Sequence, residues 1–277
     1  MDIGVVTRTF NWTVEETARA IAEKGFRWTE LCFNSSDANY FRYNGRSEIS
    51  ELSDARAKEI VETYRKAGVE VAAIGCYTNL IEPNDDELDR ILTYFERHLQ
   101  IAAQNGIPAV ATECGFRWDR RGVRSDEYEK DFKRIFDSIL RLCETAEKLN
   151  VDIAIEACVL DVIPSAKRLR DFILQTGSKH VKAMLDPANL IANSSEEDMF
   201  KYLTPHISYF HGKDRKVNDA GGRAVGDGEI DWPLFLALYH KYTEGVPFIL
   251  EYVTPDNCTV IRDRVLEFDQ KSKNIKI

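Results

Sequence analysis

Eight times along this chain a short apolar run of strand length is followed by a longer segment with helical periodicity. That alternation is the signature of βα units in a parallel sheet, and eight units are the number that closes such a sheet into a barrel. The expected strands are residues 3–7, 28–33, 69–74, 109–112, 151–156, 181–186, 207–211 and 248–251. The expected helices are 14–24, 53–67, 85–105, 125–149, 165–176, 195–203, 231–242 and 255–271. Several helices open with Ser or Asp, which can cap the free amides of a first turn, and Ala67-Gly68, Asn105-Gly106 and Glu244-Gly245 supply stops. No Pro/Gly/Ser-rich linker and no abrupt shift in composition divides the chain, so residues 1–277 are expected to form one (β/α)8 domain.

In a parallel barrel the carboxyl ends of all strands open onto one face, where residues distant in sequence converge. Four consecutive expected strands end in side chains that can bind a cation: Glu156, Asp186, His211 and Glu251. Singly, each has a plainer reading as a solvated loop carboxylate or a cap, and Asp186 before Pro187 could simply start a turn. Together they put three carboxylates close enough to repel one another strongly unless a divalent cation lies among them. Two Glu, one Asp and one His form a hard, oxygen-rich donor set, better suited to Mn2+, Mg2+ or Co2+ than to a thiolate-bound or structural zinc.

Four protein ligands on an octahedral ion leave two positions for adjacent substrate oxygens, such as a carbonyl and its neighbouring hydroxyl. Chelation of that kind would polarise the carbonyl and stabilise the enediolate formed when the α-proton leaves. Glu156 and Glu251, on strands 5 and 8, can reach the substrate from different sides, one removing a proton and the other returning it. Two opposed carboxylates suit epimerisation, whereas one carboxylate shuttling the proton would give aldose–ketose isomerisation.

The longest irregular stretches, 34–50, 115–124 and 213–230, all follow strands and so belong to the catalytic face. Lys213 lies two residues beyond His211 and should share its face, to neutralise an oxyanion, to bind a carboxylate or phosphate, or to pair with a nearby acid. The stretch after strand 7 is basic and glycine-rich, with Arg215, Lys216 and Arg223 among Gly221, Gly222, Gly226 and Gly228, and is expected to receive an anionic group.

With 46 acidic residues against 37 basic ones, the net charge of −9 disfavours nucleic acid and anionic membranes as partners. No stretch approaches ~20 uninterrupted apolar residues, and Met1-Asp2-Ile3-Gly4 lacks the basic and apolar regions of a secretory signal, so a cytoplasmic location is expected. The six cysteines have no metal-site or redox spacing. Cys32, Cys76, Cys114 and Cys158 fall at or just beyond strand ends, which leaves a thiolate site at the same mouth as an alternative to the usual role of small buried apolar residues.

At these positions the chain resembles the xylose isomerase-like TIM-barrel superfamily, the sugar phosphate isomerase/epimerase group that includes D-tagatose epimerase, hydroxypyruvate isomerase, inosose dehydratase and the apurinic endonucleases. The resemblance rests on Ile155-Glu156, Leu185-Asp186-Pro187-Ala188-Asn189, Phe210-His211-Gly212-Lys213-Asp214, Gly226-Asp227-Gly228-Glu229-Ile230-Asp231-Trp232 and Leu250-Glu251. It implies a single TIM barrel and one divalent ion held by Glu156, Asp186, His211 and Glu251, with Mn2+ first and Mg2+, Co2+ or Zn2+ as alternatives. It also implies the two glutamates as the acid/base pair. The implied partner is a small carbohydrate, and a homodimer or homotetramer is a compatible assembly.

Within that resemblance Glu113, ending strand 4, can touch a sugar hydroxyl and Trp118 can stack on a sugar ring. One position departs from the pattern: ketose epimerases typically carry a substrate-contacting His three residues after the strand-6 Asp, and Asn189 stands there instead. Asn can hydrogen-bond a hydroxyl but does not titrate near neutrality. A metal-dependent dehydratase of a keto-cyclitol or dehydroshikimate-like compound would use the same chemistry. An apurinic endonuclease would need a three-metal cluster, and of the five histidines, 98, 180, 206, 211 and 240, only His211 is placed as a ligand.

Overall fold

A computed structural model describes residues 1–10, 12–33, 52–117 and 122–277. The expected loop 34–50 and Trp118 lie outside the described residues. Eight parallel strands, β1 (Ile3–Val6), β2 (Trp28–Leu31), β3 (Glu70–Gly75), β4 (Ala109–Glu113), β5 (Asp152–Glu156), β6 (Val181–Leu185), β7 (Ile207–Gly212) and β8 (Phe248–Leu250), close in sequence order into a barrel. The closure is made by β1 against β8, with Val5 opposite Leu250. Around it lie α1 (Val14–Glu23), α2 (Asp54–Lys66), α3 (Asp85–Gln104), α4 (Tyr128–Leu149), α5 (Ala166–Thr176), the short α6 (Pro187–Leu190), α7 (Glu196–Leu203), α8 (Trp232–Tyr242) and α9 (Cys258–Ser272). The fold is the (β/α)8 barrel that the sequence pattern predicts.

Local chemistry sets the helix starts. Ser53, Ser165, Ser195 and Asp231 each accept a hydrogen bond from a first-turn amide, and Thr13 and Glu16 form a reciprocal capping box. Two starts differ from expectation. α4 begins at Tyr128 rather than 125, preceded by Glu127 with no side-chain cap, and α9 begins at Cys258 rather than 255, after a turn in which Thr254 and Asn257 bond each other.

Strand side chains alternate between two environments. Val5, Ile74, Val110, Ile155, Leu185, Phe210 and Leu250 face the helices in the large outer core. Val6, Ala73, Ala111, Ala154, Met184, Tyr209 and Ile249 fill the lumen in a second cluster. Two residues beyond the last of these lumen residues, the same parity delivers Glu113, Glu156, Asp186, His211 and Glu251 to the carboxyl-end mouth. The apolar lumen therefore acts as the floor of the site.

The 213–230 segment is folded back onto that mouth by one buried carboxylate. Asp214 accepts from Arg215 N (2.8 Å), Ile230 N (3.3 Å), Gly226 N (2.9 Å) and Trp232 Nε1 (2.7 Å), and its backbone bridges Arg223. Gly228 packs so tightly here that a Cβ would collide with the Asp214 carboxylate and come within 2.6 Å of the Arg215 backbone.

Candidate metal centre and cleft

The four strand-end residues converge: Glu156, Asp186, His211 and Glu251 are all buried, and one ligand atom from each lies within 4.8 Å of the other three. His211 Nδ1 is 3.6 Å from Glu156 Oε1 and 3.6 Å from Glu251 Oε2. Asp186 Oδ2 is ion-paired with the Lys213 ammonium 2.7 Å away, whereas Glu156 Oε1 and His211 Nδ1 are buried atoms without a hydrogen bond. Buried polar atoms are seldom left so, because each costs about 1–3 kcal/mol. Two such atoms converging with carboxylate oxygens of Asp186 and Glu251 within 4.8 Å of one another are what a cation site requires.

Two of the four are fixed from behind. Asp186 caps α6, its Oδ1 accepting from Ala188 N at 2.9 Å, which leaves Oδ2 for the site. The expected turn after Asp186 and the expected metal ligand are thus two oxygens of one carboxylate. His211 is held through Nε2, 2.7 Å from Glu30 Oε2. An ionised carboxylate only accepts, so Nε2 carries the hydrogen and Nδ1 turns to the cluster.

Glu30, on β2, is a residue the sequence reading missed. It is fully buried and also accepts from the hydroxyls of Tyr77 (2.7 Å) and Tyr209. Burial works against its ionisation, but His211 and Arg8 hold its pKa down at about 2. Replacing Glu30 with Gln is expected to weaken Mn2+ binding by ~10- to 100-fold, the usual loss when the partner behind a metal-ligating His is removed. A Mn2+ titration of Glu30→Gln with wild-type affinity would remove Glu30 from this role.

Lys213 sits among the carboxylates rather than at the rim. Its Nζ donates to Glu251 Oε2 at 2.8 Å and lies 2.7 Å from Asp186 Oδ2 and 3.5 Å from Glu156 Oε1. Burial opposes its charge, yet Asp186 and Glu156 keep the ammonium protonated well above the ordinary lysine range. Burial likewise opposes ionisation of Glu156, and Lys213 and His211 outweigh it, lowering that carboxyl. Asp186 goes the other way, pushed up to about 7 by burial and by Glu156. His211 is raised to about 9, burial opposing and Glu30 and Glu156 prevailing. The crowd of acids retains protons that a metal ion would replace.

Above the cluster opens a cleft of about 710 Å3. Glu251 forms its wall with Arg8, whose guanidinium pairs with Glu251 and lies 4.6 Å from the Tyr77 ring centroid. Glu113 and Asn189 line it, as do Arg215, from the basic stretch expected to receive an anion, and Asp161, which the sequence reading did not single out as a site residue. Asn189 is buried, and its Oδ1 accepts from Arg215 Nη2 at 2.8 Å, so it orients an arginine rather than merely filling a turn. Arg223 is placed elsewhere: its Nη2 pairs with Asp219 at 2.6 Å, and it is not among the described residues lining the cleft. The fold that Asp214 imposes turns Arg215 inward and leaves Arg223 outside. Burial pushes the Cys158 thiol up to about 12 and raises the Cys32, Cys76 and Cys114 thiols too, so these four offer no thiolate near neutrality.

The family described as xylose isomerase-like TIM barrel matches residues 18–271. No curated protein sequence matches the chain. Among solved structures, a D-tagatose 3-epimerase-like protein superposes with a TM-score of 0.79 at 15% identity, covering 99% of this chain and 98% of that one. The E. coli 3-keto-D-glucoside 4-epimerase in its apo form gives 0.75 at 17% identity, covering 98% and 99%. The IOLI protein with a bound zinc atom gives 0.71 at 15% identity, covering 99% and 96%. At these identities the likeness is one of fold.

Proposed function

Because the chain belongs to the xylose isomerase-like TIM-barrel family, we propose that it is a divalent-metal-dependent isomerase or epimerase of a sugar or sugar derivative. The observation that carries this reading is the charge of the cluster. With Asp186 ionised and His211 neutral, as a bound metal requires, the four carboxylates of Glu30, Glu156, Asp186 and Glu251 exceed the two cations Arg8 and Lys213 by two charges in a buried site. One divalent ion, Mn2+ first, balances both. Glu156, Asp186, Glu251 and His211 Nδ1 would hold it, and when bound it would polarise the carbonyl of a chelated α-hydroxycarbonyl group.

The chain's own residues supply the proton chemistry. Glu156 ends β5 and Glu251 directly follows β8, so they enter the cluster from different strands, and one can take the α-proton while the other returns it. Lys213, donating to Glu251 and close to Asp186 and Glu156, sets the charge that these carboxylates feel. Arg215 and Asn189 together present a fixed polar edge to the rest of the substrate. The neighbours' names, a tagatose epimerase-like protein and a keto-glucoside epimerase, agree with an α-hydroxyketone substrate, and the zinc in the IOLI structure agrees with a divalent ion. The described histidines besides His211 have other roles or places, such as His98 bonded to Tyr94 O, His180 to Asp152 and His240 to Asp269, which disfavours a three-metal hydrolytic centre. No helix among the described residues is long and apolar enough to cross a membrane.

Ketoses, keto-cyclitols and their phosphates incubated in deuterated water with Mn2+ test the proposal. Deuterium should enter at the carbon next to the carbonyl of at least one of them. A dehydrated product with a new ultraviolet absorbance would assign a dehydratase instead, and no exchange in any of these classes would contradict the reading.

A further inference from the structure

Tyr252, directly after Glu251, has a φ of 54°, in the left-handed region that a bulky side chain rarely adopts. Asn150, the other described non-glycine residue at positive φ, closes the carboxyl end of α4, where such a conformation is common. Tyr252 caps no helix. Its ring packs on Gly222, where a Cβ would come within 2.6 Å of the ring's Cε1, and Lys213 Nζ lies 5.4 Å from the ring centroid. Yet Tyr252 is 54% exposed and forms part of the cleft wall. Burial of the ring therefore does not account for the strained backbone, and strain of this kind clusters at ligand-binding sites.

We propose that Tyr252 is the platform against which the carbon ring of the substrate lies, so that the site favours cyclic α-hydroxyketones over short open-chain ones. The inference rests on the sugar reading above. A saturated ring presents a face of C–H bonds that complements a flat aromatic surface, and a closed ring loses few internal rotations on docking. Gly222 is the seat that lets the tyrosine ring lie where it does.

Two probes separate the ring from the chelating group: 2-keto-myo-inositol, a ring that cannot open, and dihydroxyacetone, which has the adjacent carbonyl and hydroxyl without a ring. Binding of each to the Mn2+-loaded protein is measured by titration calorimetry, alongside thermal unfolding. Glycine accepts positive φ, so Tyr252→Gly should unfold no earlier than wild type. It should nevertheless weaken keto-cyclitol binding by ~10-fold more than dihydroxyacetone binding, the scale of one stacking contact. Tyr252→Phe should keep the preference. Gly222→Ala should lose part of it with the tyrosine still present, because the methyl group displaces the ring. Equal losses on both probes, an unchanged ratio, or a Phe variant that behaves like the Gly variant would overturn the platform alone. A wild-type protein that binds neither probe would overturn the platform, while deuterium exchange on any other ketose would leave the sugar reading standing.

Discussion

Exchanging either Glu156 or Glu251 for Gln is expected to lower turnover by ~10²-fold or more, while Mn2+ binding falls far less. Gln preserves the size of the side chain and one oxygen ligand but removes the proton acceptor. The two positions differ in their surroundings. Glu156 Oε1 has no hydrogen bond to lose, so Glu156→Gln is the cleaner test of basicity. Glu251 is gripped on both oxygens, by Arg8 at Oε1 and Lys213 at Oε2, so Glu251→Gln turns an amide nitrogen toward a cation and should also lower thermal stability. Steady-state turnover at saturating Mn2+, with metal content measured on the same samples, separates the effects. Near-normal turnover in metal-loaded Gln variants would show that the bases lie elsewhere.

Replacing His211 with Ala should weaken metal binding by more than the ~10- to 100-fold expected for loss of Glu30 behind it, because the nitrogen donor itself is gone. The substitution also strips a hydrogen bond from a fully buried carboxylate, leaving Glu30 with Tyr77, Tyr209, the Cys32 thiol and the more distant Arg8. Removing one partner of a buried charged pair costs about 3–5 kcal/mol, so unfolding of His211→Ala should shift markedly as well. Glu30→Gln gives the needed control: it disturbs the same pair but leaves the ligand. If both variants lost metal equally, position rather than coordination would be the role of His211.

The barrel was legible because two periodicities, near two and near 3.6, alternate eight times, and because most helix starts carry their own caps. The convergence of the four candidate ligands was legible because a strand-end residue in a parallel barrel has only one face to reach. Glu30 was not. It lies within β2, and only barrel closure brings it to His211, 181 residues away. A lone carboxylate inside an otherwise apolar strand was the available signal, since a charge facing the lumen needs a partner. The basic loop was read correctly in composition but not in path, because one buried carboxylate, Asp214, decides which arginine turns inward. The backbone conformation of Tyr252 has no sequence signature, since tyrosine is ordinarily a β or α residue.

The most direct test of the account is the coordination shell itself. X-ray absorption on protein titrated with Mn2+ should show one ion per chain, bound by oxygens and a single imidazole nitrogen, with no sulfur in the shell. An ion bound through cysteine sulfur, or no uptake of Mn2+, Mg2+, Co2+ or Zn2+ at stoichiometric concentration, would contradict it.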